Sequence, residues 1–386
     1  MPARLSSKAG RYLRCLRPRA PSRSAWRVCK KRPKHSTGAC GGDTTRESIK
    51  CQVDPRQRRG AKRSGGTPVA ATLTLNERAM RLADYIASNA ATLRIEAHTT
   101  AGGARILDCG IKTPGGLQAG LALARVCLAG QAEVTLVPGD VAGFGCPSVV
   151  VNTDHPVLAC MASQYAGWEI KAGKFFAMGS GPMRAAYGKE ELFDQIPGRE
   201  QAPVAVGTLE TRKLPDDAVV AQISQALNLP ANKITLLAAP AASQAGNLQV
   251  VARSLETALH KLHELKFDLN QVITGFGSAP LPPVAKDELS AIGRTNDAIL
   301  YGGRVTIWVQ AEDDQLAEVG PKVPACASPD YGAPFASIFE RCNMDFYKID
   351  PMLFSPAEIV LCNLRTGRSF AFGRVNTDVL HQSFFG

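Results

Sequence analysis

An arginine and a glutamate three positions apart are the residues best suited to chemistry, in the stretch from Leu248 to Leu265. Apolar residues recur there at intervals of three and four, which predicts one amphipathic helix across the whole stretch. On that helix Arg253 and Glu256 are neighbours at the edge of the buried stripe. A carboxylate held by a guanidinium in such a place can act as a general base on water, whereas a solvated pair of this kind is only a weak ion pair. Spacing alone leaves both interpretations open.

A second candidate is the glycine-containing turn after the predicted strand at 175–178. Ser180 and Gly181 bring backbone amides close together there, and Arg184 follows one helical turn later. Exposed amides beside a guanidinium suit an anionic group of a ligand. The spacing matches neither a Walker loop nor a dinucleotide fingerprint, so a purely structural turn is the competing interpretation.

Two further segments are predicted as polar, glycine-bearing turns that line the same pocket, 274–280 and 293–298. Within the second, Asn296 and Asp297 suit hydrogen bonds to the amide and amino edge of a heteroaromatic ring. The same residue types are equally typical of a turn or a helix N-cap, so the ligand role rests on more than their pattern.

A metal site is the remaining possibility for the 248–265 helix, because Glu256, His260 and His263 share one of its faces. Three ligands from one helical face rarely converge on a single ion, and the His-Glu-x-x-His pattern is absent. The sequence also contains no serine nucleophile elbow and no nicotinamide-binding fingerprint. We therefore expect neither a metal nor a bound cofactor.

The positive charge of the chain is confined to its beginning. The formal net charge is +11, but residues 1–66 contain 19 basic and 3 acidic side chains, a net of +16. The remaining residues contain 26 basic and 31 acidic side chains, so the body is mildly acidic and nucleic acid is not its expected partner.

The first 66 residues lack helical or strand periodicity and large apolar side chains, which predicts a disordered basic extension. We favour sequence translated from upstream of a true start near Thr67–Leu75. An organelle transit peptide and a nucleic-acid-binding tail are the alternatives.

Cysteine usage indicates a reducing compartment. Four of the 11 cysteines lie in the first 66 residues, and the seven in the body are scattered without a Cys-x-x-Cys pair. Such a distribution is typical of the free thiols of a cytoplasmic protein. No apolar run reaches the ~18 residues of a membrane span, so no membrane partner is expected.

The body alternates strands with helices, which predicts an α/β fold. A first helix opens at Leu75 with Asn76 as its cap, and a hairpin follows around Gly102-Gly103. The proline- and glycine-bearing segment 194–203 is the best linker. It predicts an N-terminal α/β domain, 67–198, and a C-terminal α/β domain, 199–386, that carries the helix with Arg253 and Glu256.

Several motifs occur in order from about Leu75 to the C-terminus, and in this combination the chain resembles the methenyltetrahydromethanopterin cyclohydrolases. The motifs are Thr153-Asp-His-Pro, Gly167-Trp-Glu-Ile-Lys, Ala177-Met-Gly-Ser-Gly-Pro-Met-Arg-Ala, Arg253-Ser-Leu-Glu-Thr-Ala, Ser328-Pro-Asp-Tyr-Gly-Ala-Pro-Phe and Asp345-Phe-Tyr-Lys-Ile-Asp-Pro. The Arg-x-x-Glu helix of that family matches Arg253 and Glu256. Residues 1–66 have no counterpart.

The resemblance implies two α/β domains around a deep cleft, a homotrimer and a cytoplasmic location. The implied substrate is a pterin with a cationic amidinium, whose methenyl carbon lies between two nitrogens and is electrophilic without a metal or other cofactor. The implied product is formyl-tetrahydromethanopterin, an intermediate of one-carbon transfer between formaldehyde and formate.

For the site, the resemblance implies that Glu256 activates water as a general base. Arg253 is then expected to orient Glu256 and to keep its pKa low enough for ionisation when buried. A non-catalytic pterin-binding protein on the same scaffold is the alternative function.

Overall fold

Two six-stranded mixed sheets organise the residues that the structure, a computed structural model, describes: 73–386 without 142, 346 and 347. Helices pack on both sheets, so the predicted α/β fold class is confirmed. The predicted basic extension, 1–66, lies outside the described residues. None of the described helices has the length and apolar character needed to cross a membrane.

The strands, numbered in chain order, are short. They are β1 (Glu96–Thr99), β2 (Arg105–Asp108), β3 (Glu133–Val137), β4 (Asp140–Val141), β5 (Phe144–Gly145), β6 (Ser148–Thr153), β7 (Trp168–Ala172), β8 (Phe175–Ser180), β9 (Ala205–Glu210), β10 (Ile234–Ala239), β11 (Val272–Pro280), β12 (Arg304–Val309), β13 (Glu358–Asn363) and β14 (Ser369–Gly373). The hairpin predicted around Gly102-Gly103 is confirmed as β1 and β2.

The helices are numbered in the same way. They are α1 (Leu75–Ser88), α2 (Ala90–Leu93), α3 (Leu117–Cys127), α4 (Met183–Tyr187), α5 (Asp217–Leu227), α6 (Gln244–Val251), α7 (Ser254–Glu264), α8 (Glu288–Leu300), α9 (Asp313–Val319), α10 (Phe335–Arg341) and α11 (Thr377–Phe385), with a π-helix at Val157–Gln164. Short 3-10 turns connect several of these elements.

The first sheet has the order β1-β2-β10-β9-β8-β7, and the second has the order β14-β13-β12-β11-β6-β3. In the first sheet β2, β10 and β9 are parallel, so their carboxyl ends lie along one edge. Ligands of α/β proteins commonly bind outside that edge of a parallel sheet.

Each sheet combines strands from both sides of the boundary predicted between residues 198 and 199. In the first sheet β8 pairs with β9, and in the second β6 pairs with β11. The described residues, 73–386 without 142, 346 and 347, accordingly belong to one compact unit. The predicted boundary therefore does not separate the two sheets. A proline- and glycine-rich segment indicates an exposed connection but carries no information on which strands pair.

Helices α3 and α6 pack against each other and contribute to the cores of both sheets. Leu123 and Ala245 pack with the first sheet, whereas Leu121 and Leu248 pack with the second. A side chain at Gly120 would place its Cβ 2.9 Å from the Cβ of Leu248, so glycine is required for this close approach. The two sheets are thereby joined through one pair of helices.

The single helix predicted across 248–265 is wrong, because the chain turns at Ala252 and Arg253 and separates α6 from α7. The Arg253 amide donates to the Val250 carbonyl three residues back at 3.1 Å, which tightens the backbone at the junction. Arg253 has φ −89° and ψ 5°, outside helical geometry. The apolar spacing continues across the turn, so periodicity alone gave no sign of the break.

The N-cap predicted for the first helix is also wrong, because Thr74 occupies that position and forms a capping box with Glu77. Asn76 is instead fully buried. Its amide group donates to the Pro182 carbonyl at 2.7 Å, and its Oδ1 accepts from the Val206 amide at 2.8 Å. This side chain therefore joins α1 to β9.

Replacing Asn76 by alanine is expected to destabilise the fold by about 2–4 kcal/mol, because buried backbone groups lose their partners. The control is Asn89→Ala, since the Asn89 side chain donates to the Tyr85 carbonyl at 2.8 Å near the surface. Urea unfolding measures both changes. Equal, small losses of stability in the two variants would contradict the role given to Asn76.

Candidate active site at the start of α7

Helix α7 lies directly on β11 at two glycines. A Cβ at Gly275 would come within 2.7 Å of the Leu255 side chain, and one at Gly277 would come within 2.7 Å of the Ser254 hydroxyl. The segment 274–280, predicted as a turn, is therefore part of a strand, and its glycines serve close packing rather than chain reversal. This contact fixes the first turn of α7, which carries Glu256.

The helix predicted to end near Tyr165 is the π-helix Val157–Gln164. The Tyr165 amide donates to the Cys160 carbonyl, five residues back, at 2.7 Å. π-Helical turns are rare and are frequent at functional sites. Here carbonyl groups near the end of the helix accept hydrogen bonds from the side chains of Arg184 and Arg253.

The guanidinium of Arg253 is held by groups from two different elements. Its Nη1 donates to the Gln164 carbonyl at 2.8 Å, and its Nη2 donates to the Ser180 hydroxyl at 3.1 Å. Arg253 is only 8% exposed, and its Nε has no hydrogen-bond partner among the described residues. The protein itself therefore sets the orientation of this side chain.

Glu256 lies beside that guanidinium, with its Oε2 3.8 Å from Arg253 Nη1. The side chain is 4% exposed and belongs to the first turn of α7, where the helix dipole favours a negative charge. Burial raises the pKa of Glu256 to about 7, although Arg253 and Arg184 act to lower it. Arg253 lowers this pKa, as expected, but desolvation is the larger effect, so the pKa of Glu256 is raised overall.

Ser180, predicted to bind a ligand, is buried and supports Arg253. Its hydroxyl accepts from Arg253 and donates to the Thr208 carbonyl at 3.3 Å. The Cys127 thiol lies 3.4 Å from the same hydroxyl and accepts from Gln249 Nε2 at 3.5 Å. Ser180 therefore connects the arginine to β9 and to α3.

Sequence reasoning missed four residues of this network: Gln164, Thr208, Cys127 and Gln249. Gln164 and Thr208 contribute backbone carbonyls, which every residue type carries, and Cys127 is a thiol without a motif. Only the Thr153-Asp-His-Pro motif, directly before the π-helix, marked the vicinity of Gln164.

Gly181 and Arg184 are bound to other parts of the protein. Gly181 has φ +86°, and its amide donates to the Ser163 carbonyl at 2.8 Å. Arg184 is fully buried, with Nε and Nη2 directed at the Glu190 carboxylate and Nη1 at backbone carbonyls. Its guanidinium also lies 4.9 Å from the centre of the Tyr165 ring. The donor groups that were expected to bind an anion form their hydrogen bonds with protein groups instead.

The structure does not place Asn296 and Asp297 with Arg253 in any described contact. The turn predicted at 293–298 is wrong, because these residues lie inside α8. Asn296 donates to the Ile292 carbonyl at 2.9 Å, and the buried Asp297 accepts from the Phe335 amide at 2.8 Å. Burial raises the pKa of Asp297 to about 7. This aspartate fixes the start of α10.

A cavity of about 300 Å³ lies beside the C-terminal end of α7. His260 stacks on Tyr165 with ring centres 5.0 Å apart, and His263 Nε2 is 3.1 Å from Gln195 Oε1. Within the described residues, no group of three or more His, Cys, Asp or Glu side chains is arranged to hold a metal ion. Residues that line the cavity are Tyr165, Gly167, Glu190, Glu191, Leu192, His260, His263 and Glu264.

The chain matches known proteins over almost all of its described length. A family model described as "Cyclohydrolase (MCH)" matches residues 74–384. The methenyltetrahydromethanopterin cyclohydrolase of Rhodopirellula baltica is 48% identical over 74% of this chain and 87% of its own. The enzyme of the same name from Methylobacillus flagellatus is 42% identical over 81% of this chain and 95% of its own.

The chain belongs to the methenyltetrahydromethanopterin cyclohydrolase family. The family also includes the methenyltetrahydromethanopterin cyclohydrolase of Methanococcoides burtonii, which is 37% identical over 81% of this chain and 98% of its own. Every residue of the site around Arg253 and Glu256 lies inside the part of the chain that the cyclohydrolase family model matches.

We predict that removing the contact between Ser180 and Arg253 lowers turnover in a cyclohydrolase assay. Ser180→Ala should lower kcat about 10- to 100-fold, because a hydrogen bond to a charged group contributes about 1.5–3 kcal/mol. The matched control is Ser163→Ala, since the equally buried Ser163 hydroxyl donates to the Cys127 carbonyl at 2.7 Å and does not contact Arg253. Equal effects of the two substitutions on kcat would exclude a specific role for Ser180.

Proposed function

We propose that this chain hydrolyses the cyclic amidinium of 5,10-methenyl-tetrahydromethanopterin to formyl-tetrahydromethanopterin, a step of one-carbon metabolism between formaldehyde and formate. The names of the relatives supply the substrate class. The observation in this chain that carries the proposal is a buried glutamate, Glu256, whose pKa of about 7 suits proton transfer near neutral pH.

In the first step Glu256, as the carboxylate, accepts a proton from water while the water oxygen bonds to the methenyl carbon. The electron pair of the adjacent carbon–nitrogen π bond moves onto a ring nitrogen, which neutralises the cation. A tetrahedral carbon that bears one hydroxyl group results. Because the carbon of an amidinium already carries positive charge, this addition needs no Lewis acid, and we propose that the enzyme uses no metal or other cofactor.

In the second step the protonated Glu256 returns its proton to the nitrogen that leaves. The carbon–nitrogen bond breaks, the hydroxyl proton is released, and the carbon becomes a formyl group on the other nitrogen. A carboxyl group with a pKa near the working pH is suited to both directions of transfer. Arg253 contacts no water in this scheme and acts by holding Glu256 in place.

Replacing Glu256 by glutamine should lower kcat about 10²–10⁴-fold, the usual contribution of general-base assistance. In the wild type, kcat/KM should rise with pH up to about 7, because only the ionised carboxylate can accept a proton, and the variant should lack this rise. Loss of the ultraviolet absorption of the methenyl substrate measures both.

The control is Glu264→Gln, at a more exposed glutamate near the end of the same helix, which should keep kcat within about threefold of the wild type. If Glu256→Gln turns over as fast as the wild type, the general base is another group. Wild-type protein that binds the pterin without hydrolysing it would instead support a non-catalytic pterin-binding function.

We further propose that the enzyme is a cytoplasmic homotrimer that binds neither nucleic acid nor a membrane. The cysteines that the structure describes are free thiols, which suits a reducing compartment. Two exposed aromatic rings support self-association: Phe144 and Phe385 are 46% and 37% exposed and stack with centres 4.6 Å apart.

Light scattering of the purified protein tests the oligomer and should give three times the mass of one chain. Phe144→Ser should shift the protein toward smaller species, because an exposed aromatic side chain near the centre of an interface carries much of its binding energy. Tyr85→Ser is the control, since Tyr85 is 66% exposed on α1. A monomeric wild type would contradict the proposal.

A further inference from the structure

The two groups that accept hydrogen bonds from the Arg253 guanidinium share a further neighbour, the thiol of Cys127. Cys127 is the last residue of α3 and is fully buried. Its Sγ lies 3.4 Å from the Ser180 hydroxyl and 3.9 Å from the Gln164 carbonyl oxygen. These are the two oxygens to which Arg253 Nη2 and Nη1 donate. One side chain therefore contacts both acceptors of the guanidinium.

The hydrogen bonds around the thiol determine where its proton points. Gln249 Nε2 donates to the sulfur at 3.5 Å. The Ser180 hydroxyl has a single proton, which it donates to the Thr208 carbonyl at 3.3 Å. The thiol is therefore the donor toward the hydroxyl oxygen and toward the Gln164 carbonyl. Its proton lies between the two acceptors of Arg253 and links them.

Two packed helices set the position of this thiol. Cys127 belongs to α3, whereas Gln249 belongs to α6, the helix that ends just before Arg253. The two helices approach each other closely at Gly120, where a Cβ would lie 2.9 Å from the Cβ of Leu248. The sulfur is thus held through its own backbone by one helix and through a hydrogen bond by the other. Its position is fixed by the fold, since only one rotatable bond separates it from the backbone.

A buried cysteine is commonly a small hydrophobic residue of the core, and Cys109 shows that arrangement. Cys109 is 1% exposed and packs in the core of the first sheet. Its Sγ lies 3.6 Å from the Leu107 carbonyl, two residues back, and contacts neither acceptor of Arg253. Burial alone therefore does not account for the three polar contacts of Cys127.

We propose that Cys127 is a positioning residue for the hydrolysis: its thiol keeps the two oxygens that bind Arg253 at the separation that the guanidinium requires. This inference rests on the proposed function. The guanidinium is planar and rigid, so its two hydrogen bonds keep good geometry only at one spacing of their acceptors. A guanidinium that shifts also changes its distance from Glu256, which is 3.8 Å in the structure.

Cys127→Ala tests the proposal through the charge that Arg253 exerts on Glu256. The guanidinium favours the ionised carboxylate, so a guanidinium that moves away lets the pKa of Glu256 rise above about 7. The midpoint of the rise of kcat/KM with pH should move up by about 0.5–1 unit, and kcat should fall about 3- to 10-fold. Cys127→Ser keeps a donor and an acceptor at this position and should restore most of both.

The matched control is Cys109→Ala, which removes an equally buried thiol and leaves the groups around Arg253 in place. It should leave the midpoint unchanged and kcat within about twofold of the wild type. Thermal unfolding of the three variants separates a general loss of packing from a displaced arginine. A midpoint that stays in place in Cys127→Ala, or that moves equally in Cys109→Ala, would overturn the role of Cys127. A Cys127→Ser variant that behaves like Cys127→Ala would do the same.

Infrared spectra separate this inference from the proposed function. They follow protonation of the Glu256 carboxyl group without substrate, when each protein is compared with the same protein carrying Glu256→Gln. The midpoint in Cys127→Ala should lie about 0.5–1 unit above that of the wild type. An unshifted infrared midpoint would refute the role of Cys127 whatever the protein hydrolyses. A shifted midpoint in a protein that does not hydrolyse the methenyl pterin would support the hold of Cys127 on Arg253 and refute the proposed function alone.

Discussion

The hydrogen bonds of one buried guanidinium hold the site together. Arg253 lies at the turn between α6 and α7 and donates to the end of the π-helix through Gln164 and to the first sheet through Ser180. Helix α7 rests in addition on the second sheet, at Gly275. Because these anchors come from separate parts of the fold, displacement of any one of them changes the position of Glu256 relative to its arginine.

Burial of Glu256 gives its carboxyl group a pKa suited to proton transfer, but the same burial lowers the stability of the folded protein. Each pKa unit corresponds to about 1.4 kcal/mol between the two protonation states. Burial raises the pKa of Glu256 from 4.5 to about 7 against the opposing charges of Arg253 and Arg184. The folded state therefore binds this proton more tightly than the unfolded chain does. Stability from this group is present below pH 4.5 and is lost as the pH rises to 7, where the base becomes active.

Much of the fold, and the residues at the centre of the site, could be predicted from the sequence. The alternation of strands and helices gave the α/β class, and the spacing of Arg253 and Glu256 indicated adjacent side chains, which the structure brings to 3.8 Å. The break between α6 and α7 could not be predicted, because the apolar stripe continues through it. The glycines at 275 and 277 were predicted to form a turn, since glycine in a strand for close packing and glycine in a turn look alike.

The ligand-facing residues were the hardest to predict, for a related physical reason. From the sequence alone, a polar side chain such as Asp297 resembles a ligand contact. In the structure it accepts a hydrogen bond from a buried backbone amide, that of Phe335. The backbone carbonyls of Gln164 and Thr208, by contrast, carry no motif, because every residue type has one. Their significance appears only when the fold brings the Gln164 carbonyl to Arg253 and the Thr208 carbonyl to Ser180.

The most direct test of the central claim is an infrared titration of the Glu256 carboxyl group, from difference spectra between the wild type and Glu256→Gln across pH 4–9. We predict that the protonated carboxyl band of Glu256 disappears with a midpoint near pH 7, as burial beside Arg253 requires. A midpoint near the ordinary glutamate value of 4.5 would contradict the account, because the carboxylate would then be solvated and could not be the buried base.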